Sequence, residues 1–325
     1  MGLKDRIFYF DALRAFAIAM VILIHVSSEY NSLAYTFSIV WGQFGFMGVP
    51  LFFMISGALL INKSYEPITF LKRRFSRIFI PFIFWVIVFI ILQFIFYKPT
   101  SNTIINIVFG GGWFTWFVWA LIAIYLFIPV LNPFFEKYGM KAIEYFLILW
   151  ALTLILQTFN LYPFKALNLN YFSGYIGFAV LGYYLANKKF KFNNLYMGIL
   201  LFVISSVFIM YYAGILNQIL SPCYLTIPVA LQATGVFLIF KSVKIKSTNN
   251  LIFTIKKFIE SISKCSYGMF FVHVFIIGFI FRLFDMSNFS YLLLPLFWIL
   301  VVILSWLVIL ICNKIPILNK LIGVN

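Results

Sequence analysis

The chain has 325 residues, of which 64% are hydrophobic and 10% are charged, and its formal net charge is +16 at pH 7. Water-soluble proteins average about 25% charged residues, so the composition excludes an ordinary soluble domain and indicates a polytopic membrane protein. Long uninterrupted apolar runs favour helices over a β-barrel, whose strands alternate polar and apolar residues. The sequence therefore predicts an all-α membrane helix bundle.

Ten apolar stretches predict about ten transmembrane helices. In chain order they are Phe8–Tyr30, Ser38–Ile61, Ile78–Phe96, Trp113–Leu131, Ile143–Asn160, Tyr171–Ala186, Leu195–Ala213, Leu220–Phe240, Ile262–Leu283 and Tyr291–Cys312. We expect them to form a single integral membrane domain over residues 1–325, with no separate soluble domain.

The basic residues of the loops alternate between the two sides of the membrane. Of the 24 lysines and arginines, 20 fall on one side, Lys98, Lys165 and Arg282 fall on the other, and Arg14 lies inside a span. Lysine and arginine accumulate on the cytoplasmic side, so both termini are predicted to be cytoplasmic, in a multi-pass protein of the cytoplasmic (plasma) membrane. Topology and anionic lipid then explain the net charge, and we expect no nucleic-acid partner.

Arg14 and His25 lie eleven residues apart in the first apolar stretch. At about 100° per residue, this spacing returns to within about 20° of the same helix face, with an axial offset of about 16 Å. An arginine within hydrocarbon costs about 3 kcal/mol or more, and buried charges usually line a polar cavity. Asp11, three positions before Arg14, is placed to pair with it. The pattern predicts a functional site along the first helix.

His25 is the candidate proton acceptor, because a neutral imidazole in a partly dehydrated site can remove a proton from a hydroxyl group. A histidine that is merely solvated at the membrane interface is the alternative. Glu29, one turn beyond, would orient His25 or bind the acceptor, or it would lie in an exposed loop. These alternatives are open at the level of sequence.

A cationic cluster of Lys72, Arg73, Arg74 and Arg77 precedes the third apolar stretch. Arginine's planar fork suits a phosphate receptor, but a topological anchor is an equal alternative. In the second stretch, Ser56 and Gly57 favour close helix packing over catalysis. His273 is either a packing residue or a second polar member of the cavity. The three cysteines show no metal-ligand spacing, so we expect no metal site.

Several motifs resemble those of a known family. They are Phe10-Asp11-Ala12-Leu13-Arg14 with His25, Pro50-Leu51-Phe52-Phe53-Met54-Ile55-Ser56-Gly57, Arg73-Arg74-Phe75-Ser76-Arg77 ahead of Pro81, Trp116-Phe117 with Tyr125 and Pro129, Gly182-Tyr183-Tyr184-Leu185, and Ser266-Tyr267 before His273. Over nearly its whole length the chain resembles the acyltransferase-3 family, integral membrane enzymes that transfer acyl groups onto surface carbohydrates and related acceptors.

The resemblance implies a donor such as acetyl-CoA or another acyl-CoA in the cytoplasm, with no permanently bound cofactor. It also implies an acceptor hydroxyl at the outer half of the membrane, with Arg14 and His25 as the essential pair. Some relatives carry an attached extracytoplasmic esterase-like domain. This chain ends soon after its last span, so we expect it to act alone or with a separate extracytoplasmic transferase partner.

These observations predict an O-acyltransferase, chiefly an O-acetyltransferase, with a polar tunnel along the first helix. In this hypothesis Arg73, Arg74 and Arg77 bind the donor phosphates, Arg14 positions the donor and His25 is the general base. Asp11, Glu29, Ser56 and His273 support the site. The alternative is a transporter or flippase for a sugar, lipid-linked glycan or amino acid, which would use the same cavity without chemistry. A membrane scaffold or sensor would need neither Arg14 nor His25.

Overall fold

The fold is described from a computed structural model, which covers residues 7–29, 35–63, 65–97, 99–109, 115–159, 174–211, 224–243, 249–283 and 291–324. Within these ranges the chain forms eleven α-helices, two short 3-10 helices and no β-strand. The predicted all-helical class is therefore confirmed for this part of the chain. Predictions made at Lys98, Lys165 and Cys223 lie outside the described residues.

The helices are named here in chain order. They are α1 (Phe8–Glu29), α2 (Tyr35–Gly45), α3 (Gly48–Leu60), α4 (Pro67–Tyr97), α5 (Ser101–Phe109), α6 (Thr115–Thr158), α7 (Ile176–Asn187), α8 (Asn194–Met210), α9 (Ile227–Ser242), α10 (Asn250–Leu283) and α11 (Leu294–Asn313).

Six helical stretches among the described residues are long and apolar enough to cross a membrane. They are α1, α4, α6, α10, α11 and the run Val40–Leu60 that comprises most of α2 and α3. The shorter apolar helices α7, α8 and α9 coincide with the sixth, seventh and eighth predicted spans. Every predicted span thus overlaps a helix, while the number of crossings and the cytoplasmic position of both termini stay predictions.

Helix α6 changes direction at Gly139, whose φ is 62° and ψ is −148°. Glycine adopts a positive φ without the steric cost that a Cβ would bring. The 44-residue helix therefore consists of two arms, which correspond to the fourth and fifth predicted spans. No separate loop joins these arms, because the change of direction is confined to this one residue.

Helices α3 and α7 cross with their backbones in direct contact. A Cβ added at Gly57 would overlap the backbone of Ala179, and one added at Gly182 would overlap the backbone of Met54. Close approach of two helices needs small residues at the crossing point. The packing role predicted for the Ser56-Gly57 pair is thus observed at Gly57, and it holds α3 in a fixed position beside α1.

Helix α1 lies within the bundle, where it packs against α2, α3, α10 and α11. Leu13, Ile18 and Ile22 are 0% exposed. Trp298 of α11 donates a hydrogen bond of 2.7 Å from Nε1 to the carbonyl oxygen of Ala19. This position brings the candidate residues of α1 close to those of the later helices.

The segment after α11 folds back against α4 and α10. Trp85 Nε1 donates to the carbonyl oxygen of Ile322 at 3.3 Å, and Ile322 is fully buried. Gly323 follows with a φ of 83°, and an added Cβ there would lie 2.8 Å from the Tyr267 ring. The Tyr267 hydroxyl donates to the carbonyl oxygen of Ile78 at 3.1 Å. These contacts join α4 and α10 beside the first of two cavities.

Candidate functional site

Arg14 and Asp11 form the ion pair that their spacing predicts. Arg14 Nη1 lies 3.6 Å from Asp11 Oδ1. Asp11 is only 2% exposed, and it also accepts a hydrogen bond of 2.7 Å from Ser263 Oγ. A buried carboxylate needs such partners, because removing a charge from water costs several kcal/mol. Asp11 therefore positions Arg14 between α1 and α10.

Arg14 lines a cavity of about 250 Å³ between α1, α3, α4, α6 and α10, here called the inner cavity. Its cationic lining consists of Arg14, Arg74, Arg77 and Lys264. Its other polar lining consists of Ser56, Tyr125, Ser263, Ser266 and Tyr267. Four cations, with no carboxylate among the lining residues, favour an anionic ligand.

The predicted basic cluster is divided by the helix on which it lies. Arg74 and Arg77 are three residues apart on one face of α4, and both line the inner cavity. Arg73 is exposed and is not among the lining residues. Lys264 replaces it as a cavity cation from α10. Sequence reasoning counted Lys264 only as a cytoplasmic lysine, and its position between Ser263 and Ser266 was the available signal.

Ser56 lies in the wall of the inner cavity and hydrogen-bonds with the side chain of Tyr125. Tyr125 is 8% exposed and lies within electrostatic range of Arg14 and Arg74. The phenol therefore places a hydroxyl group among the cations. In the sequence Tyr125 belongs to a motif that it shares with Trp116-Phe117 and Pro129, but the motif indicated no role for it.

His25 lines a second and larger cavity of about 1,090 Å³ between α1, α4, α5, α10 and α11, here called the outer cavity. Glu29 lines it one turn beyond His25. Glu29, for which an exposed loop was the alternative, is thus the last residue of α1 and lies in the cavity wall. Most of the other lining residues are apolar, unlike those of the inner cavity.

His25 lies beside His273, with ring centroids 5.0 Å apart and ring planes inclined by 45°. His273 is 0% exposed, and its Nδ1 lies 3.0 Å from the carbonyl oxygen of Met269. Because a carbonyl oxygen only accepts, Nδ1 carries the proton and donates. In the neutral ring Nε2 is then an acceptor, and it has no hydrogen-bond partner among the described residues. A buried acceptor of this kind is a candidate contact for a ligand or a proton.

The inner and outer cavities have no lining residue in common. Phe270 lines the inner cavity, and its ring centroid lies 6.1 Å from that of His273. Phe270, His273 and His25 are named here the ring partition, because they lead from one cavity to the other. Among the described residues, Arg14 and His25 therefore line different cavities, and the predicted single tunnel along α1 is not observed. Angular spacing places two side chains on one face, but it does not show whether neighbouring helices fill the space between them.

Among the described residues, no group of three or more histidine, cysteine, aspartate or glutamate side chains is placed to hold a metal ion. Cys265 is buried and Cys312 is half-buried, and neither forms a disulfide bond.

Comparison with known families adds an independent observation to this geometry. A family model described as an acyltransferase domain, that of the acyltransferase-3 family, matches residues 7–314. The chain belongs to this family. The predicted membership is thus confirmed over nearly the whole chain.

Curated relatives align with about half of the chain. Over 160 residues it is 26% identical to the peptidoglycan O-acetyltransferase OatA of Listeria monocytogenes, which covers 45% of this chain and 24% of the relative. Over 168 residues it is 28% identical to the O-acetyltransferase OatA of Staphylococcus aureus strain NCTC 8325, which covers 47% of this chain and 23% of the relative. The aligned part thus spans about a quarter of each relative's length. No solved structure matches the chain.

Proposed function

We propose that the protein is an O-acetyltransferase of the cytoplasmic membrane. It moves an acetyl group from acetyl-CoA to a hydroxyl of a cell-surface glycan. The observation that carries this proposal is the placement of two cavities along α1, with four cations around the inner one and His25 in the wall of the outer one. Family membership and the names of the relatives support acetyl transfer to a glycan. Acetyl-CoA enters as a substrate.

The donor binds through its negative charge at the inner cavity. Coenzyme A carries phosphates, for which Arg74, Arg77 and Lys264 supply complementary charges. The inner cavity has a volume of about 250 Å³. Cavities that enclose a drug-sized ligand have volumes of about 300–1,000 Å³, so the inner cavity is smaller than these. It therefore takes only part of this long donor. Arg14, which Asp11 holds in place, steadies the middle of the inserted arm, so that the thioester at its end lies farther along α1, towards His25.

His25 is the proposed general base. It removes the proton from the acceptor hydroxyl as the hydroxyl oxygen attacks the thioester carbonyl carbon. The carbon–sulfur bond then breaks, the proton passes to the thiolate, and coenzyme A leaves as a free thiol. The acceptor keeps the acetyl group as an ester. A positioned acid–base group of this kind contributes about 10²–10⁴-fold in rate, and a route through an acetyl-histidine would use the same side chain.

The ring partition separates the charged part of the donor from the acceptor. A charged group entering an apolar region carries a large desolvation penalty, whereas a small uncharged acyl group does not. The cations of the inner cavity therefore retain the phosphates while the acetyl group reaches the rings of His273 and His25. This separation allows one enzyme to use a donor from one side and an acceptor from the other.

The proposal is tested with purified protein in proteoliposomes, supplied with radiolabelled acetyl-CoA and a panel of cell-wall glycan fragments. His25→Ala is expected to lower acetyl transfer by about 10²–10⁴-fold, because the base is lost. Ser28→Ala is the matched control, since Ser28 is exposed on the same helix and lines neither cavity. Near-normal transfer by a correctly inserted His25→Ala variant would remove His25 from the mechanism.

The transport alternative makes the opposite prediction for the same vesicles. A carrier moves a labelled sugar, lipid-linked glycan or amino acid without any acyl donor, whereas the enzyme transfers acetyl groups without net flux. Flux without a donor, together with no acetyl transfer, would overturn the proposal. A separate extracytoplasmic transferase stays a proposed partner, and its addition to the vesicles is expected to extend transfer to the intact polymer.

A further inference from the structure

The outer cavity is larger than transfer of an acetyl group requires. Its volume of about 1,090 Å³ is more than four times the 250 Å³ of the inner cavity. An acetyl group and one sugar hydroxyl at His25 would occupy a small part of this space. The remaining volume is large enough for a ligand of drug size or larger.

The two walls of the outer cavity differ in chemistry. Helices α10 and α11 form an apolar wall, which includes Phe275, Phe279 and Leu304. The α10 part of this wall, from Val272 to Leu283, is about 16 Å long at 1.5 Å per residue. Helices α1, α4 and α5 form the rest of the lining, here called the polar wall. Its polar side chains are His25, Glu29, Gln93, Thr103 and Asn106, and the apolar Phe89, Leu92, Phe96 and Ile107 lie among them. A long cavity with one apolar and one polar wall is complementary to an amphiphile.

Arg282 lies at the end of the apolar wall. Its guanidinium carbon lies 4.7 Å from the ring centroid of Phe96 on α4, so this contact joins α4 and α10 at that end. Of the three basic residues predicted on the outer side, Arg282 is the one within the described residues. Its charge is complementary to an anionic head group.

We propose that the outer cavity binds the acceptor as an anionic glycolipid. Its hydrocarbon chain lies along α10 and α11, its sugar lies against the polar wall with a hydroxyl at His25, and its anionic group lies near Arg282. The role of this lipid as acceptor rests on the proposed function, but its binding does not. An ordinary bilayer lipid would leave the polar side chains of His25, Glu29 and Gln93 against hydrocarbon, which is unfavourable.

Binding is tested without any acyl donor, by photolabelling the protein in lipid nanodiscs. The probe is phosphatidylglucose with a diazirine in its acyl chain, and the reference is phosphatidylcholine with the same chain. Mass spectrometry is expected to find labelling of residues 272–283 and 304–308 at least tenfold stronger with phosphatidylglucose. Equal labelling by the two lipids would assign the cavity to bilayer lipid and overturn the proposal.

A cavity-filling variant locates the bound lipid. A Cβ added at Gly278 meets nothing within 4 Å, so Gly278→Trp fills the outer cavity without a clash at that atom. It is expected to lower labelling at least tenfold. Ile91→Trp is the matched control, because Ile91 is 52% exposed on α4 and does not line the cavity. Unchanged labelling of Gly278→Trp would overturn the proposal, as would displacement of the label by octanoyl-CoA but not by acetyl-CoA.

The anionic part of the ligand is tested at Arg282. Arg282→Gln is expected to lower labelling by phosphatidylglucose several-fold and to leave labelling by a neutral glucosyl diacylglycerol unchanged. Equal losses for both lipids would overturn the assignment of an anionic head group. Acetyl transfer is measured in parallel: expected labelling without any transfer would sink the proposed function alone, whereas transfer with unselective labelling would sink the lipid site alone.

Discussion

The inner and outer cavities are lined by the same helix, yet they differ in size and chemistry. The inner cavity is small and carries four cations, while the outer cavity is more than four times larger and mostly apolar. Helix α1 supplies Arg14 to the first and His25 to the second. In the proposed function, the eleven-residue spacing separates two tasks: recognition of a charged donor near Arg14 and proton transfer to and from an amphiphilic acceptor near His25.

Removal of Arg14 is expected to have the largest effect on the difference between the two cavities. Arg14→Ala is expected to lower kcat/KM for acetyl-CoA at least about 100-fold, because loss of one partner from a buried charged contact costs about 2–5 kcal/mol. It is also expected to lower the thermal unfolding temperature, since Asp11 loses its ion pair. Steady-state kinetics and thermal unfolding in detergent measure the two effects.

The double variant Asp11→Asn with Arg14→Ala separates function from stability. It no longer contains a buried unpaired carboxylate, so most of the lost thermal stability is expected to return. Activity is expected to stay low, because the donor still lacks its cation. Recovery of activity together with stability would show that Arg14 serves only the fold.

His273 tests the boundary between the cavities and has a smaller expected effect. His273→Phe keeps an aromatic ring but removes the Nε2 acceptor. We expect a fall of about tenfold in kcat, below the 10²–10⁴-fold of a full acid–base group, with the KM for acetyl-CoA unchanged and a shifted pH profile. His273→Gln keeps hydrogen-bonding atoms and is expected to recover part of the turnover. Equal losses in both variants would assign His273 a packing role.

The arginines of α4 test whether the inner cavity itself binds the donor. Arg74→Gln and Arg77→Gln are each expected to raise the KM for acetyl-CoA about fivefold, since a solvent-accessible ion pair contributes up to about 1 kcal/mol. Arg73→Gln is the matched control, because Arg73 lies outside the cavity, and less than a twofold change is expected. Equal effects of all three would mean that bulk charge, and not the cavity, attracts the donor.

The smallest expected effect concerns the start of α4, the helix that carries Arg74 and Arg77. The Glu66 carboxylate accepts hydrogen bonds from the backbone amides of Ile68 and Thr69. The Thr69 contact holds the pKa of Glu66 below its ordinary value of 4.5. A lowered folded-state pKa stabilises the helix start above pH 4.5, and this stabilisation is lost as the pH falls below that value.

Amide hydrogen exchange measures this contribution. Protection of residues 68–72, corrected for intrinsic exchange, is expected to decrease below pH 4.5 in the native protein. Glu66→Gln is expected to show this decreased protection both below pH 4.5 and at pH 6. The same protection in the variant and the native protein at pH 6 would contradict a capping role for Glu66.

Local sequence relations predicted much of this architecture. The first apolar stretch matches α1 to within one residue, because helix length and composition are set by the membrane. The Asp11–Arg14 pair was predictable, since residues three apart on a helix are neighbours. The kink at Gly139 was not predicted, because this glycine lies in the charged segment between two predicted spans, where Glu136, Lys137 and Lys141 indicated a loop.

Relations between distant segments could not be predicted in this way. Periodicity places Arg73, Arg74 and Arg77 within about 100° of one another on α4, but it does not say which of the three side chains line a cavity. Lys264 joins the inner cavity only through the packing of α10 against α1. His25 and His273 were each candidates, yet their contact depends on how two helices 248 positions apart in the chain align.

The packing between the two cavities also affects ion leakage across the membrane potential. A potential of 100 mV is worth about 2.3 kcal/mol for each elementary charge that crosses, and a continuous water column would dissipate it. Ile18 and Ile22 lie on α1 between Arg14 and His25 and are both 0% exposed, so packed side chains occupy this stretch of the helix. In the proposed function the acetyl group that crosses it is uncharged, so its passage does no work against the field. Packing of this kind would oppose a leak of protons during transfer.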